Sequence, residues 1–203
     1  PALKDMLKTD ADIVFVNRAN PYGVGSAFVG IDNAKAAEDV ADFLYAKGVR
    51  EPLVIHGSLA SSATSIRVQA FQRRFCELSG NVTVNLRSDT MDHMQLGRQE
   101  IAAYIEHYGT PPSGVFCLSD LIAYGAARAL RDAGHAPSCR CLIVGFDDNP
   151  MNDWVAPWLT SVRVPYRQFG PAIVQTLLDQ TSDQSSHGLE LPHTLVDRSD
   201  WCG

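Results

Sequence analysis

Asp147 and Asp148 stand side by side at the end of an apolar run, residues 142–146. At the end of a buried strand such a pair can bind Mg²⁺, accept a phosphoryl group, hydrogen-bond a ligand or cap a loop. No partner at a defined spacing chooses among these. Gly57-Ser58-Leu59-Ala60-Ser61 approaches the G-x-S-x-G nucleophile elbow but lacks its closing glycine. Gly23-Val24-Gly25 leads into a strand pattern rather than a helix N-terminus, so its amides cannot cradle a pyrophosphate. The six histidines are scattered, none at the i,i+4 spacing of a helical zinc pair. Cys139 and Cys141 have no second Cys/His pair to complete a metal site. The expectation is therefore a chain with no catalytic residues, no metal and no cofactor, which binds rather than transforms.

Charge narrows the binding partners. The 203 residues carry 17 Lys and Arg against 23 Asp and Glu, a formal charge of −6. A surface of that sign does not suit direct contact with a phosphate backbone. No apolar run approaches the ~20 residues of a membrane helix, so no membrane partner is expected. Five cysteines, an odd number without framework spacing, point to reduced thiols and a cytoplasmic setting.

The elements that would position these residues alternate. Residues 13–16 read as a buried strand, preceded by a short helical pattern through Leu3, Met6 and Leu7 and followed by a Pro/Gly loop. A strand at 28–31 leads to Asp32 or Asn33 as the cap of a helix with Ala37, Val40, Ala41, Leu44 and Tyr45 on one face. The same grammar repeats. Strand 53–56 precedes a helix through Ile66, Ala70, Phe71, Phe75 and Leu78, and strand 82–86 a helix through Leu96, Ile101, Tyr104 and Ile105. Strand 115–118 precedes a helix from Ser119 or Asp120 to residue 133, and strand 142–146 runs into a long loop. Gly48, Gly80, Gly109 and Gly134 stop the four helices. Next come an extended segment at 159–164, a helix through Phe169, Ile173 and Leu177, a polar run at 181–186, and short strands at 189–191 and 194–196.

Strand and helix in alternation make an α/β fold, a parallel sheet covered on both faces with ligand sites at the carboxyl ends of its strands. Residues 31–158 supply about five such units, while strand 13–16 has too few partners for an ordinary sheet of ~5–6 strands. The expectation is two lobes, the first incomplete. Residues 1–30 and 160–187 would form the partial N-terminal lobe, 31–159 and 188–203 the C-terminal one, with crossings at Ile31 and 159–164.

Val144-Gly145-Phe146-Asp147-Asp148-Asn149-Pro150, followed by Trp158-Leu159-Thr160-Ser161-Val162-Arg163-Val164-Pro165, resembles the VGFDD…PPLTTVRQP signature of the lactose-repressor/galactose-repressor (LacI/GalR) family of transcription regulators. Further segments agree in order across the chain: 14–18 with VVLVDR, 29–33 with VRVDN, 62–71 with STARERLEGF and 115–125 with IFAANDLMALG. The resemblance implies a periplasmic-binding-protein-like pair of doubly wound lobes, with a helix-turn-helix DNA-binding head that this chain does not contain.

It also implies site residues. The family's effector-binding arginine matches Arg67 and the aspartate ending its VGFDD strand matches Asp147. The aspartate of VDR is Asn17 here and the asparagine of AND is Ser119, which keep hydrogen-bonding capacity while Asn17 loses a charge. Arg67 offers a rigid fork of donors and Asp147 an acceptor for two hydroxyls, a pairing suited to a sugar, polyol or sugar acid. Phe116, Tyr166 and Trp154 are candidate aromatic walls, with core packing as the alternative. The implied function is a ligand-sensing and dimerisation domain of a repressor-type regulator, whose small sugar-like effector controls its grip on operator DNA through the head. The alternative is an exported solute-binding protein of an uptake system. Tyr124, Ala127 and Arg128 are expected on the face of a homodimer, unless that face packs within the chain.

Overall fold

The computed structural model describes residues 5, 13–18, 27–80, 84–87, 90, 92–137, 141–180 and 188–200. The helical pattern before residue 13, the Pro/Gly loop, the polar run, Cys139 and Cys202 lie outside them. β1 (Val14–Val16) and β2 (Ala27–Gly30) lead to α1 (Asn33–Ala46), β3 (Leu53–His56), α2 (Ser62–Ser79) and β4 (Val84–Arg87). Then follow α3 (His93–Tyr108), β5 (Gly114–Cys117), α4 (Asp120–Asp132) and β6 (Leu142–Asp147). The short α5 (Asn152–Val155), β7 (Thr160–Arg163), α6 (Tyr166–Gln180), β8 (Leu189–Glu190) and β9 (Thr194–Val196) complete the order.

Two sheets result. The larger has the order β4-β3-β5-β6-β7-β9, parallel except for β9, which pairs antiparallel to β7. The smaller is the parallel set β1-β2-β8. Alternation along β5 and β6 sends Phe116, Val144 and Phe146 to the side packed by Val40, Leu44, Phe71 and Phe75 of α1 and α2. Val115, Cys117 and Ile143 face Leu96, Ile101, Ile122 and Leu130 of α3 and α4. This is the doubly wound α/β arrangement expected of the pattern, and Asp32 and Ser119 are the residues that cap α1 and α4.

The lobes divide differently from the expected boundaries. Residues 160–163 are β7 of the larger sheet, so the crossing falls at Val164 and Pro165, and α6 packs against β1 and β2. Residues 189–190 pair with β2 in the smaller sheet. Short strands carry too little periodicity to reveal their partners, and pairing rather than sequence proximity assigns them. Residues 82 and 83 of the expected fourth strand lie outside the described residues, and β4 is described from Val84.

The outward apolar stripe expected on α4 is not there. Ala127 is completely buried, and Tyr124 is half-buried with its hydroxyl donating to Asn152 Oδ1 at 2.7 Å, which leaves Arg128 exposed. Tyr124 is tied to α5 through Asn152, and Ala127 packs into the core cluster that includes Val115, Cys117 and Ile143. A Cβ on Gly97 would collide with the Ile122 carbonyl and one on Gly125 with the Met94 carbonyl, so α3 and α4 touch backbone to backbone.

Candidate functional site

Loops at the carboxyl ends of β1, β3, β5 and β6 meet at a cleft of ≈ 310 Å³ between the two sheets. Its walls include Asn17, Ser61, Thr64, Arg67, His93, Ser119 and Asp147. In an open α/β sheet this end is the one where helix N-termini and strand ends converge on a ligand.

Arg67 lies one turn into α2 and is buried, at 7% exposure. Its Nε donates to Asn33 Oδ1 at 2.8 Å, and the guanidinium sits 3.5 Å above the centre of the Phe146 ring. Burial brings its pKa down to about 10, against the opposing charge of Asp147. Asn33 was read only as a possible helix cap. It holds the fork in place, a role carried by a contact 34 residues apart that no local pattern announces.

Asp147 ends β6 with φ 105°, and Asp148 follows with φ 46°. Two successive left-handed residues other than glycine are strained. The side chains around them supply the restraint. Asp148 accepts from Arg163 Nε and from Arg198 Nη1, both at 2.7 Å, and from Asn152 at 3.3 Å, while its own amide donates to Ser161 Oγ at 3.1 Å. Burial works to raise the Asp148 carboxyl, but the two arginines outweigh it and hold it below the usual carboxylate range. Asp147 is left facing the cleft. Burial raises its pKa, opposed by the Tyr166 hydroxyl, which donates at 2.6 Å, and by the charge of Arg67.

Asn17 follows β1 at φ 55°, a conformation asparagine tolerates, and its amide donates to the Val29 carbonyl at 2.8 Å. Its Oδ1 is buried and has no hydrogen-bond partner. Ser119 caps α4 by accepting from the Ile122 amide, and its Oγ shares a 3.3 Å hydrogen bond with His93 Nδ1. His93, the first residue of α3, joins the cleft wall, although scatter along the chain gave it no signal beyond its place behind the capping Asp92.

Asp120, also missed, lies between the cleft and the α5 loop. It accepts from Ser161 Oγ at 2.6 Å, the Asn149 amide at 2.6 Å and Asn152 Nδ2 at 3.0 Å. Burial pushes its pKa up to about 6 against those donors. The structure thus brings Arg67, Asp147, Asn17 and Ser119 together. The aromatic candidates fare differently. Phe116 is completely buried, its ring centre 5.0 Å from that of Phe71, and is a core residue. Trp154 is 87% exposed on α5, outside the cleft, because the short helix turns it to the surface. Tyr166 lines the neighbouring ≈ 510 Å³ cavity beside the crossing and reaches the site through its hydroxyl.

Among the described residues no cluster of three His, Cys, Asp or Glu could hold a metal ion, and no helix is long and apolar enough to cross a membrane. The arrangement can donate from a guanidinium, accept at a carboxylate and an amide oxygen, and exchange hydrogen bonds with hydroxyls. Those are the functions of recognition.

Comparison with known proteins gives the same reading of the fold. A periplasmic binding protein-like domain model matches residues 41–199. The transcriptional regulator PtxS of Pseudomonas putida is 26% identical over 180 residues, 88% of this chain and 51% of that protein. The chain thus spans about half the length of this curated relative, a regulator rather than an enzyme. The lac repressor bound to ONPG superposes with a TM-score of 0.82 at 20% identity, covering 98% of this chain and 60% of the repressor chain. A LacI family regulator from Enterococcus faecium with bound ribose superposes with a TM-score of 0.77 at 22% identity, covering 91% and 68%. The chain belongs to the periplasmic binding protein-like domain family.

Proposed function

We propose that this domain senses a small sugar-like effector within a cytoplasmic LacI-type regulator and passes its occupancy to a DNA-binding head. Effector binding would change the angle between the lobes and so the spacing of two heads in a pair. One observation carries the reading: Asn17 on the smaller-sheet side and Arg67, Ser119 and Asp147 on the larger-sheet side face one cleft, with the Asn17 Oδ1 buried and unpartnered. A buried acceptor without a donor costs ~1–3 kcal/mol, a deficit that a ligand hydroxyl removes. The ribose bound by the Enterococcus relative supports a sugar-like occupant.

The paired state is part of the proposal. Met151, Trp154 and Val155 expose an apolar cluster at 54%, 87% and 49% on and before α5, next to the outer residues of α4 that include Leu121 and Arg128. That surface replaces Tyr124 and Ala127 as the candidate homodimer face.

Calorimetry on the intact protein tests the site. Arg67→Ala should weaken effector binding by ~1.5–3 kcal/mol, roughly 10- to 150-fold, and Asp147→Asn should weaken it as well. Unchanged affinity in both variants would remove the cleft from consideration.

A further inference from the structure

Asp120 is 2% exposed, and among the described residues it makes no ion pair, whereas Asp148, bound to the same Asn152, is gripped by Arg163 and Arg198. Its three donors are neutral and unequally divided. Oδ1 takes the Ser161 hydroxyl, while Oδ2 takes the Asn149 amide and Asn152 Nδ2. A hydroxyl can accept as well as donate, and an N–H cannot. An added proton therefore belongs on Oδ1, where Ser161 turns to accept it and Oδ2 keeps both nitrogen donors. Gly145 makes room for that oxygen, since a Cβ on this residue would collide with Asp120 Oδ1.

The groups facing Asp120 give it no counter-charge. Asp147 on β6 is a second carboxylate and works to raise it. Cys117 on β5, Tyr124 on α4 and Tyr166 on α6 are raised, chiefly by burial, and stay neutral. Arg67 on α2 and His93 on α3 act on Asp147, and Arg163 on β7 and Arg198 beyond β9 act on Asp148.

Two of the three donors come from one short piece of chain. Its anchor is Asn152, completely buried, which donates to Asp120 and Asp148 and receives the Tyr124 hydroxyl. Met151, Trp154 and Val155 of the same piece are exposed. Lifting it strips Asp120 of two partners and lets water reach the carboxylate.

We propose that Asp120 is a proton-operated catch on the α5 segment: protonated, it lies buried without charge and the segment stays down, and ionised, it favours a lifted segment in which water solvates the charge. The proton comes from solvent and returns to it. The catch goes beyond the sensing reading, since it needs no ligand. Burial holds the closed-state carboxyl at about 6, above the ~3.9 of a solvated aspartate, so closure is favoured in acid and weakens as pH rises from about 4 through 6. Acidification thereby firms the apolar surface that the segment carries.

Hydrogen exchange of the intact protein tests this, read by mass spectrometry over residues 148–156, corrected for the intrinsic pH dependence and measured where reclosing outruns exchange. The Asn149 amide, whose acceptor is Asp120 itself, lies in that stretch. Protection should fall about 50-fold between pH 4 and 7, most of it by pH 6. Asp120→Asn should flatten the profile. Ser161→Ala removes a donor to the ionised form and should carry the fall to higher pH. Protection independent of pH overturns the catch, and a fall that persists in Asp120→Asn assigns it to another group and overturns it equally. Should circular dichroism show Asp120→Asn unfolded, Ser161→Ala decides: a profile identical to that of the unmodified protein overturns the proposal.

Discussion

The Tyr166 hydroxyl donates a 2.6 Å hydrogen bond to Asp147 Oδ1, and the two residues belong to different lobes. Asp147 ends β6 of the larger sheet, while Tyr166 opens α6, which packs on β1 and β2. The carboxylate offered to a ligand is therefore already half-occupied by a side chain from across the crossing. A ligand hydroxyl that takes Oδ1 of Asp147 competes with a bond that ties the lobes, whereas Oδ2 is not engaged by Tyr166.

Tyr166→Phe removes the competitor and keeps the ring. Effector affinity should rise about 2- to 10-fold, the worth of an ordinary hydrogen bond of ~0.5–1.5 kcal/mol. A calorimetric titration that shows weaker binding instead would mean that the hydroxyl itself contacts the ligand.

Asp148 should be structural where its neighbour serves the ligand. Its side chain is 3% exposed and restrains Arg163 and Arg198 together, so Asp148→Ala leaves two cations without their counter-charge and releases a strained turn. Breaking a buried pair costs ~3–5 kcal/mol, and the half-exposed Arg163 places this case near the lower end. Urea denaturation showing a loss below about 1 kcal/mol would contradict the assignment.

Asp120 gives a pH dependence of definite sign. Its folded-state pKa of about 6 lies above the ~3.9 of an unfolded aspartate, so the native state binds the proton more tightly. Its contribution favours folding in full below about pH 4 and is lost as pH rises through 6. The stability of the protein minus that of Asp120→Asn should fall by roughly 2 kcal/mol between pH 4 and 7. Asp148, held below the usual range, works in the opposite sense: its contribution is present at neutral pH and lost on acidification. A pH-independent difference between the protein and Asp120→Asn would refute the raised value.

Gly125→Ala tests the helix crossing. Alanine favours an isolated helix by ~1 kcal/mol over glycine, yet here its methyl would meet the Met94 carbonyl, and overpacking of this kind costs ~1–3 kcal/mol. The melting temperature should fall. An unchanged or raised value would show that α3 and α4 separate without penalty.

For the paired state, Trp154→Glu in the intact protein should shift the mass measured by light scattering toward the monomer, while Tyr124→Phe should not. Unaltered mass for Trp154→Glu would rule out the α5 surface.

The alternation of strands and helices was legible because each buried element of the larger sheet spans several periods, as Phe71 and Phe75 or Ile143 and Val144 illustrate. That Arg67 and Asp147 would line one cleft was legible from motif and from their position after strands. Asn33 and Asp120 were not, since their roles arise from partners 34 and 41 residues away. Tyr124 and Ala127 misled for a related reason: a helical stripe shows that a face is apolar, and only the Asn152 partner and the core contacts reveal what covers it. Trp154 shows the converse, a large aromatic whose exposure comes from a short turn that hydrophobicity alone would have buried.

The Gly97 and Gly125 crossing has one more consequence. Gly97 lies four residues from His93 and Gly125 six from Ser119, about 6 and 9 Å along their helices. With the backbones in contact there, His93 and Ser119 keep their mutual spacing as two marks on one gauge. Under the proposed sensing role, ligands of different size would be accommodated by the opposite jaw, where Asn17 follows the short β1 strand.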